Sequence, residues 1–270
     1  MTFERIGFIG CGNMGGALAR AAAKRADASG FMYSSASGEK ARALAAELGG
    51  RAVSNVEIAE NCGLMFLGVK PKYLRGVMVE VAPALKKRGG GFVLCSMAAG
   101  VTIDSVQQMT GEAVPVIRIM PNTPVLVGCG MTQYALRGVT RGQEEAFLDL
   151  LAESGELDLL PESLIDAASA VSGCGPAFFF LALEGLADGG VAAGLPRDKA
   201  LRYAAKTLEG AGRLALETGA HPGALKDGVT SPGGSTIQGV RMLERAGVRS
   251  AFFEAAAAAY EKNLDLGKKA

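Results

Sequence analysis

Six residues near the N-terminus, Gly10-Cys11-Gly12-Asn13-Met14-Gly15, restrict what this chain can fold into more than any other stretch. An apolar run containing Ile6, Phe8 and Ile9 precedes them, and an alanine-rich segment follows. They therefore stand between an expected buried strand and an expected helix. In that setting each glycine has a task. Gly10 permits a tight turn, Gly12 leaves the backbone bare for a pyrophosphate, and Gly15 lets the helix pack closely on the strand. Free N–H groups at the helix start attract phosphate charge. A glycine-rich turn alone says little; strand, G-x-G-x-x-G and helix in this order is the dinucleotide context.

The same alternation continues to about residue 160. Gly30 to Tyr33 reads as a second strand, Glu39 to Leu48 as a helix ended by Gly49-Gly50, and Ala52-Val53 as a short third strand. Cys62 to Val69, Gly91 to Ser96 and Val114 to Met120 are continuous apolar runs, the pattern of strands buried on both faces. Strands alternating with helices imply right-handed crossovers and an α/β Rossmann domain with a doubly wound, mainly parallel sheet. From Glu162 the pattern becomes long, alanine- and leucine-rich and helical, with no convincing strand. The expected division is therefore 1–161, an NAD(P)-binding Rossmann domain, and 162–270, an all-helical domain.

Composition excludes several classes. A net charge of +1 with no long basic run argues against nucleic acid or an anionic membrane surface as partner. No apolar run approaches the roughly 20 residues of a membrane span, and Met1 to Arg5 lacks a signal-peptide pattern. The 5 cysteines are scattered without a C-x-x-C, so reduced thiols in a cytoplasmic protein are expected, and no metal site. The single histidine, His221, precedes Pro222 and reads as a structural loop or cap residue.

Strand ends supply the next candidates. Where NAD-preferring folds place an acid, this chain has Ser34 and Ser35, with no carboxylate before Glu39. Small hydroxyls tolerate a 2′-phosphate, so NADPH is the expected cofactor and NADH the alternative. Val69, Lys70 and Pro71 end one apolar run, and Lys70 either meets phosphate or ribose or is a solvated lysine before a helix. Small residues after Ser96, including Ala98, Ala99 and Gly100, leave room for a nicotinamide ring. Asn122 lies in a rigid turn between two prolines, as structure or as active-site lining. In the helical half, Ser172 to Pro176 and His221 to Thr236 are glycine-rich islands at helix starts. The second ends Ser231-Pro232-Gly233-Gly234-Ser235-Thr236, which reads either as an anion nest or as a helix N-cap.

GFIGCGNMGGA, LGVKP, MPNTPVLVGCG, SGCGPAFFF and above all HPGALKDGVTSPGGSTIQG give the chain its resemblance to Δ1-pyrroline-5-carboxylate reductases, from Gly7 to about Gly267. The resemblance implies a Rossmann half followed by an all-α dimerisation and substrate domain, in interlocked dimers often assembled into decamers. It implies cofactor contacts at Ile9, Gly10, Cys11, Gly12, Asn13, Met14, Ser34, Ser35, Asn55, Val69, Lys70, Pro71, Ala98, Ala99 and Gly100. Substrate contacts are implied at Glu162, Ser231, Gly233, Gly234, Ser235 and Thr236. Cys174, Ser235 and Gly228 depart from residues common in the family.

The chemistry so implied is hydride transfer from NAD(P)H to the cyclic imine of 1-pyrroline-5-carboxylate, giving L-proline, the last step of proline biosynthesis. A cyclic imine protonates readily, so positioning and carboxylate binding matter more than a strong acid. Thr236 is the expected hydrogen-bond partner of the ring nitrogen. A β-hydroxyacid dehydrogenase relative would need a lysine shortly after the first island. Phe178-Phe179-Phe180 stand there instead, and the next lysine is Lys199. A non-catalytic NADPH sensor would have no need of the second island. Apolar positions at Leu181, Leu183, Leu186 and Ala251 to Tyr260 predict a homodimer through these helices.

Overall fold

A computed structural model describes residues 3–267. Its strands are β1 (Ile6–Ile9), β2 (Phe31–Ser34), β3 (Arg51–Ala52), β4 (Leu64–Leu67), β5 (Val93–Ser96), β6 (Val116–Pro121), β7 (Gly130–Arg137) and β8 (Gly155–Leu159). They form one sheet in the order β3-β2-β1-β4-β5-β6-β7-β8, parallel throughout except where β7 runs antiparallel to β6. Between them lie α1 (Asn13–Ala22), α2 (Glu39–Leu48), α3 (Asn55–Asn61), α4 (Pro71–Arg88), α5 (Ile103–Thr110) and α6 (Arg141–Leu151). The expected Rossmann architecture is present, and α2 has the bounds read from the sequence.

Every residue of β1, β2, β4, β5 and β6 is buried, which is why these strands are apolar apart from Ser34, Ser96 and Arg118. Alternate side chains feed two cores, one on each face. Phe8 stacks on Phe66 with ring centroids 4.9 Å apart, whereas Ile9 packs with Met32, Ile58 and Leu67 on the other side. The expected strand list omitted β7 and β8. β7 carries Thr132 and Gln133 among its buried residues, and β8 is a largely exposed edge strand, so neither reads as an apolar run.

After β8 come the short α7 (Ile165–Ala168), a π-helical turn (Ser169–Gly173), then α8 (Gly175–Ala192), α9 (Arg197–Thr218), α10 (Pro222–Gly228), α11 (Ser235–Arg245) and α12 (Val248–Gly267). No strand occurs among the described residues here. Two compact units form: one runs to Cys174 and takes in the end of α12 from Ala259, the other is Gly175–Ala258, so residues 162–174 pack with the sheet. The cause is local. Ile165 is fully buried in the sheet's core, and Arg118 of β6 pairs with Asp166 of α7.

The second unit, Gly175–Ala258, buries little. Small side chains let α8 and α9 approach closely, with Ala187, Ala200 and Ala204 as the buried cluster. Phe180, Leu181, Leu186 and Phe253 stay more than half exposed. One expectation fails here. The helical stretch Glu162–Ala192, with a mean hydropathy of 1.5 in its apolar window, is long and apolar enough to cross a membrane by length and composition alone.

Candidate cofactor and substrate sites

Because β1, β2, β4 and β5 are parallel, their carboxyl ends lie along one edge of the sheet. The strand order reverses between β1 and β4, opening a crevice at that edge. The glycine-rich loop occupies it. Gly10 has φ +97°, and a Cβ there would come within 2.7 Å of the Gly68 backbone. A Cβ on Gly15 would lie 2.3 Å from the Gly10 carbonyl oxygen, so the helix cannot approach this closely with any other residue. A Cβ on Gly12 meets no atom within 4 Å; it would project into open space. The first two glycines serve packing. Gly12 keeps the crevice clear.

Gly12 is the N-cap of α1 and makes no side-chain cap hydrogen bond, so the first N–H groups of that helix face the crevice without an internal side-chain acceptor. By contrast α3, α5 and α6 are capped by Ser54, Thr102 and Thr140. The Gly10 and Cys11 N–H groups donate to the Ser34 carbonyl at 3.0 and 3.1 Å, tying the loop to the end of β2. Cys11 itself is buried, and burial pushes its thiol up to about 11, so it is packing rather than chemistry. These donors suit a pyrophosphate, and the donor set fits a dinucleotide.

Beside the loop is a groove of about 590 Å³. Ile9, Gly10, Ser34, Ser35, Asn55 and Val69 line one part of it, all expected cofactor positions. Val53, Tyr73, Val77 and Glu80 also line it and were not read from the sequence. Tyr73, Val77 and Glu80 recur at four and three residues along α4, so a one-face pattern was available to find them. Ser34 Oγ donates to Asn55 Oδ1 at 2.5 Å, and Asn55 Nδ2 donates to Glu80 Oε2 at 2.7 Å. Lys70 is the exposed N-cap of α4 and Pro71 its first residue. After β5, Ala98 and Gly100 are buried and Gly100 takes φ +75°, so this turn offers backbone and small side chains.

Asn122 resolves as a structural residue. Its Nδ2 donates to the Ser172 carbonyl at 3.0 Å and its Oδ1 accepts the Met131 N–H at 2.9 Å. Glu162, expected at the substrate, stands in a dense network. Its Oε1 accepts the Ile103 N–H at 2.6 Å and lies 3.5 Å from Arg118 Nη1, while Oε2 lies 3.7 Å from Arg137 Nη2. The buried Arg118 was missed, as a lone charge inside an apolar strand.

In the second unit, Ser231 to Gly234 closes a tight turn through a Gly234 N–H to Ser231 carbonyl bond of 3.0 Å, with Gly233 at φ +71°. Gly234 is the N-cap of α11 and gives no side-chain cap. Ser235 and Thr236 are the exposed first and second helical residues, not caps. Two hydroxyl-bearing residues and the first-turn N–H groups therefore share one exposed helix start. His221 is spent structurally, its Nδ1 accepting the Gly223 N–H at 3.0 Å as the N-cap of α10.

Comparison with known proteins decides the family. A family model for pyrroline-5-carboxylate reductase dimerisation matches residues 162–266, and one for NADP oxidoreductases, coenzyme F420-dependent, matches 5–100. The pyrroline-5-carboxylate reductase of Escherichia coli K12 is 38% identical over 270 residues, covering 98% of this chain and 99% of that protein. The chain belongs to the pyrroline-5-carboxylate reductase family. The Methanosarcina acetivorans reductase is likewise 38% identical, over the full length of both chains. Among solved structures, Plasmodium falciparum pyrroline carboxylate reductase with NADP bound superposes with a TM-score of 0.88 at 30% identity, covering 97% of this chain and 98% of that one. The two family models match one stretch in each half of the chain, and the reductases match along its whole length.

Proposed function

We propose that this chain reduces 1-pyrroline-5-carboxylate to L-proline with NADPH. A bound nicotinamide supplies a hydride to the imine carbon. The N–H groups at the start of α1 hold the pyrophosphate, with Gly12 leaving the approach bare. Ser34, Ser35 and Asn55 take the adenosine ribose end, Val69 and the start of α4 flank it, and the Ala98 to Gly100 turn seats the nicotinamide. Bulk water is a poor medium for hydride transfer, and a fixed cofactor removes the orientational part of the barrier.

The substrate reading is carried by one observation: the uncapped start of α11 beneath an exposed Ser235-Thr236 pair. The Ser231 to Gly234 turn and Ser235 bind the substrate carboxylate. The Thr236 hydroxyl oxygen accepts the N–H of the protonated ring nitrogen and fixes which face of the imine is presented. A threonine hydroxyl is a weak acid, so its role is orientation of an already protonated iminium. The substrate role of Glu162 rests on the family resemblance.

The second unit's exposed apolar helices are the dimer surface. Phe180 at 63%, Leu181 at 70% and Phe253 at 73% exposed are too much apolar area for a free surface. A second copy covers them, which also accounts for the apolar stretch through α8 without a membrane. The buried free thiols of Cys11, Cys62 and Cys95 suit a cytoplasmic enzyme. Purified chain should oxidise NADPH on addition of pyrroline-5-carboxylate, and Thr236→Ala should lose most of that rate while still binding NADPH. Turnover unaffected by the substitution would remove Thr236 from the site. NADPH binding without any turnover would overturn the reductase reading in favour of a sensor.

A further inference from the structure

NAD-preferring folds hold the ribose 2′-hydroxyl with an acid at the end of β2, and this chain has Ser34 there instead. The structure brings an acid to the same groove by another route. Glu80, two turns into α4, reaches Asn55 at the start of α3, and Asn55 reaches Ser34. We infer that Glu80 is a positioning residue that sets the preference between NADPH and NADH, acting through Asn55 on the hydrogen-bond polarity of Ser34. The inference rests on the reading that this groove takes the adenosine end of the cofactor.

Donors and acceptors fix the polarity of these bonds. A carboxylate only accepts, so the Asn55 amide must turn its NH2 group to Glu80. Its carbonyl oxygen then faces Ser34, and the Ser34 hydroxyl must donate to it. Ser34 is buried, at 5% exposure, and its single proton is committed to Asn55. What remains toward the groove is an acceptor lone pair. A ribose 2′-hydroxyl can donate to that lone pair. A 2′-phosphate, itself an acceptor, cannot use it. The wild-type chain therefore accepts NADH more readily than its β2 end alone would predict, and its affinity for NADPH stays below what the two serines could provide.

Removing the acceptor reverses the chain of bonds. In Glu80→Gln the new amide can donate to Asn55 Oδ1, the Asn55 NH2 group can turn to Ser34, and the serine proton is released toward the groove. Glu80→Ala frees Asn55 to make the same turn. The test is isothermal titration of the full-length chain with NADP⁺ and with NAD⁺, because the chain lacks tryptophan as an intrinsic reporter. Both variants should shift the ratio of the two dissociation constants about tenfold toward NADP⁺. In a Ser34→Ala background the same substitutions should shift it by less than about twofold, since the relay then has no terminus.

A ratio within about twofold of wild type in both Glu80 variants overturns the proposal. So does a tenfold shift that persists in the Ser34→Ala background, which would make Glu80 a simple repelling charge. Failure of the wild-type chain to bind either dinucleotide would instead overturn the cofactor reading on which the proposal stands.

Discussion

Arg118 Nη2 donates to Asp166 Oδ1 at 2.6 Å from a side chain only 2% exposed. The pair joins the sixth strand to the segment that follows the last one, and Glu162 lies on the other guanidinium nitrogen at 3.5 Å. Arg118 Nε finds no hydrogen-bond partner among the described residues, so the two carboxylates hold the terminal nitrogens alone. A buried ion pair of this kind fixes geometry more than it adds stability, because desolvation offsets much of its attraction.

Truncating one partner exposes that desolvation. Arg118→Ala leaves two carboxylates facing a cavity and should lower unfolding free energy by about 3–5 kcal/mol in urea titrations. Loss of less than about 1 kcal/mol would mean that water already solvates these groups and that the pair is not a structural tie.

The glycines of the fingerprint separate folding from binding. Gly12→Ala places its methyl in open space at an ordinary backbone angle of φ −75°, so thermal stability should hold while NADP⁺ affinity falls tenfold or more, about 1.4 kcal/mol. Gly15→Ala drives a methyl to 2.3 Å from the Gly10 carbonyl oxygen and should destabilise the fold itself. The two variants having the same effect on stability would contradict the assignment of roles.

Much of this was legible in sequence for a physical reason. Strands covered on both faces are mostly apolar, so β1, β4, β5 and β6 stand out, and a loop that meets phosphate must be bare, so the glycines stand out. What was hidden depends on long-range company. β7 contains Thr132 and Gln133, which look like loop residues until the Ser172 hydroxyl is seen donating to Gln133 Oε1 at 2.9 Å. Glu80 is one of many helical acids until α3 sets Asn55 beside it. Likewise the packing of the segment after β8 on the sheet was hidden, because Asp166 has its partner on a strand far earlier in the chain.

Thiol chemistry should follow burial. Burial raises the Cys11 thiol to about 11 and the Cys62 thiol to about 12, against an ordinary value of 9.0. The folded state then holds protons that the unfolded state releases, so stability is intact below about pH 9 and declines as pH rises toward 11 and 12. A disulfide-exchange reagent at pH 8 should modify exposed Cys129 rapidly and leave Cys11, Cys62 and Cys95 unmodified until the chain unfolds. Rapid modification of all the cysteines in the native protein would contradict the buried placements.

The most direct measurement of the central claim follows the hydride itself. NADPH carrying deuterium at the transferable position of the nicotinamide C4 should be mixed with the full-length chain and pyrroline-5-carboxylate, and the proline formed should be analysed by mass spectrometry and NMR. The account predicts one deuterium per proline, on the ring carbon that was the imine carbon and with a single stereochemistry. Proline without deuterium, deuterium spread over both faces of that carbon, or no proline at all would contradict it.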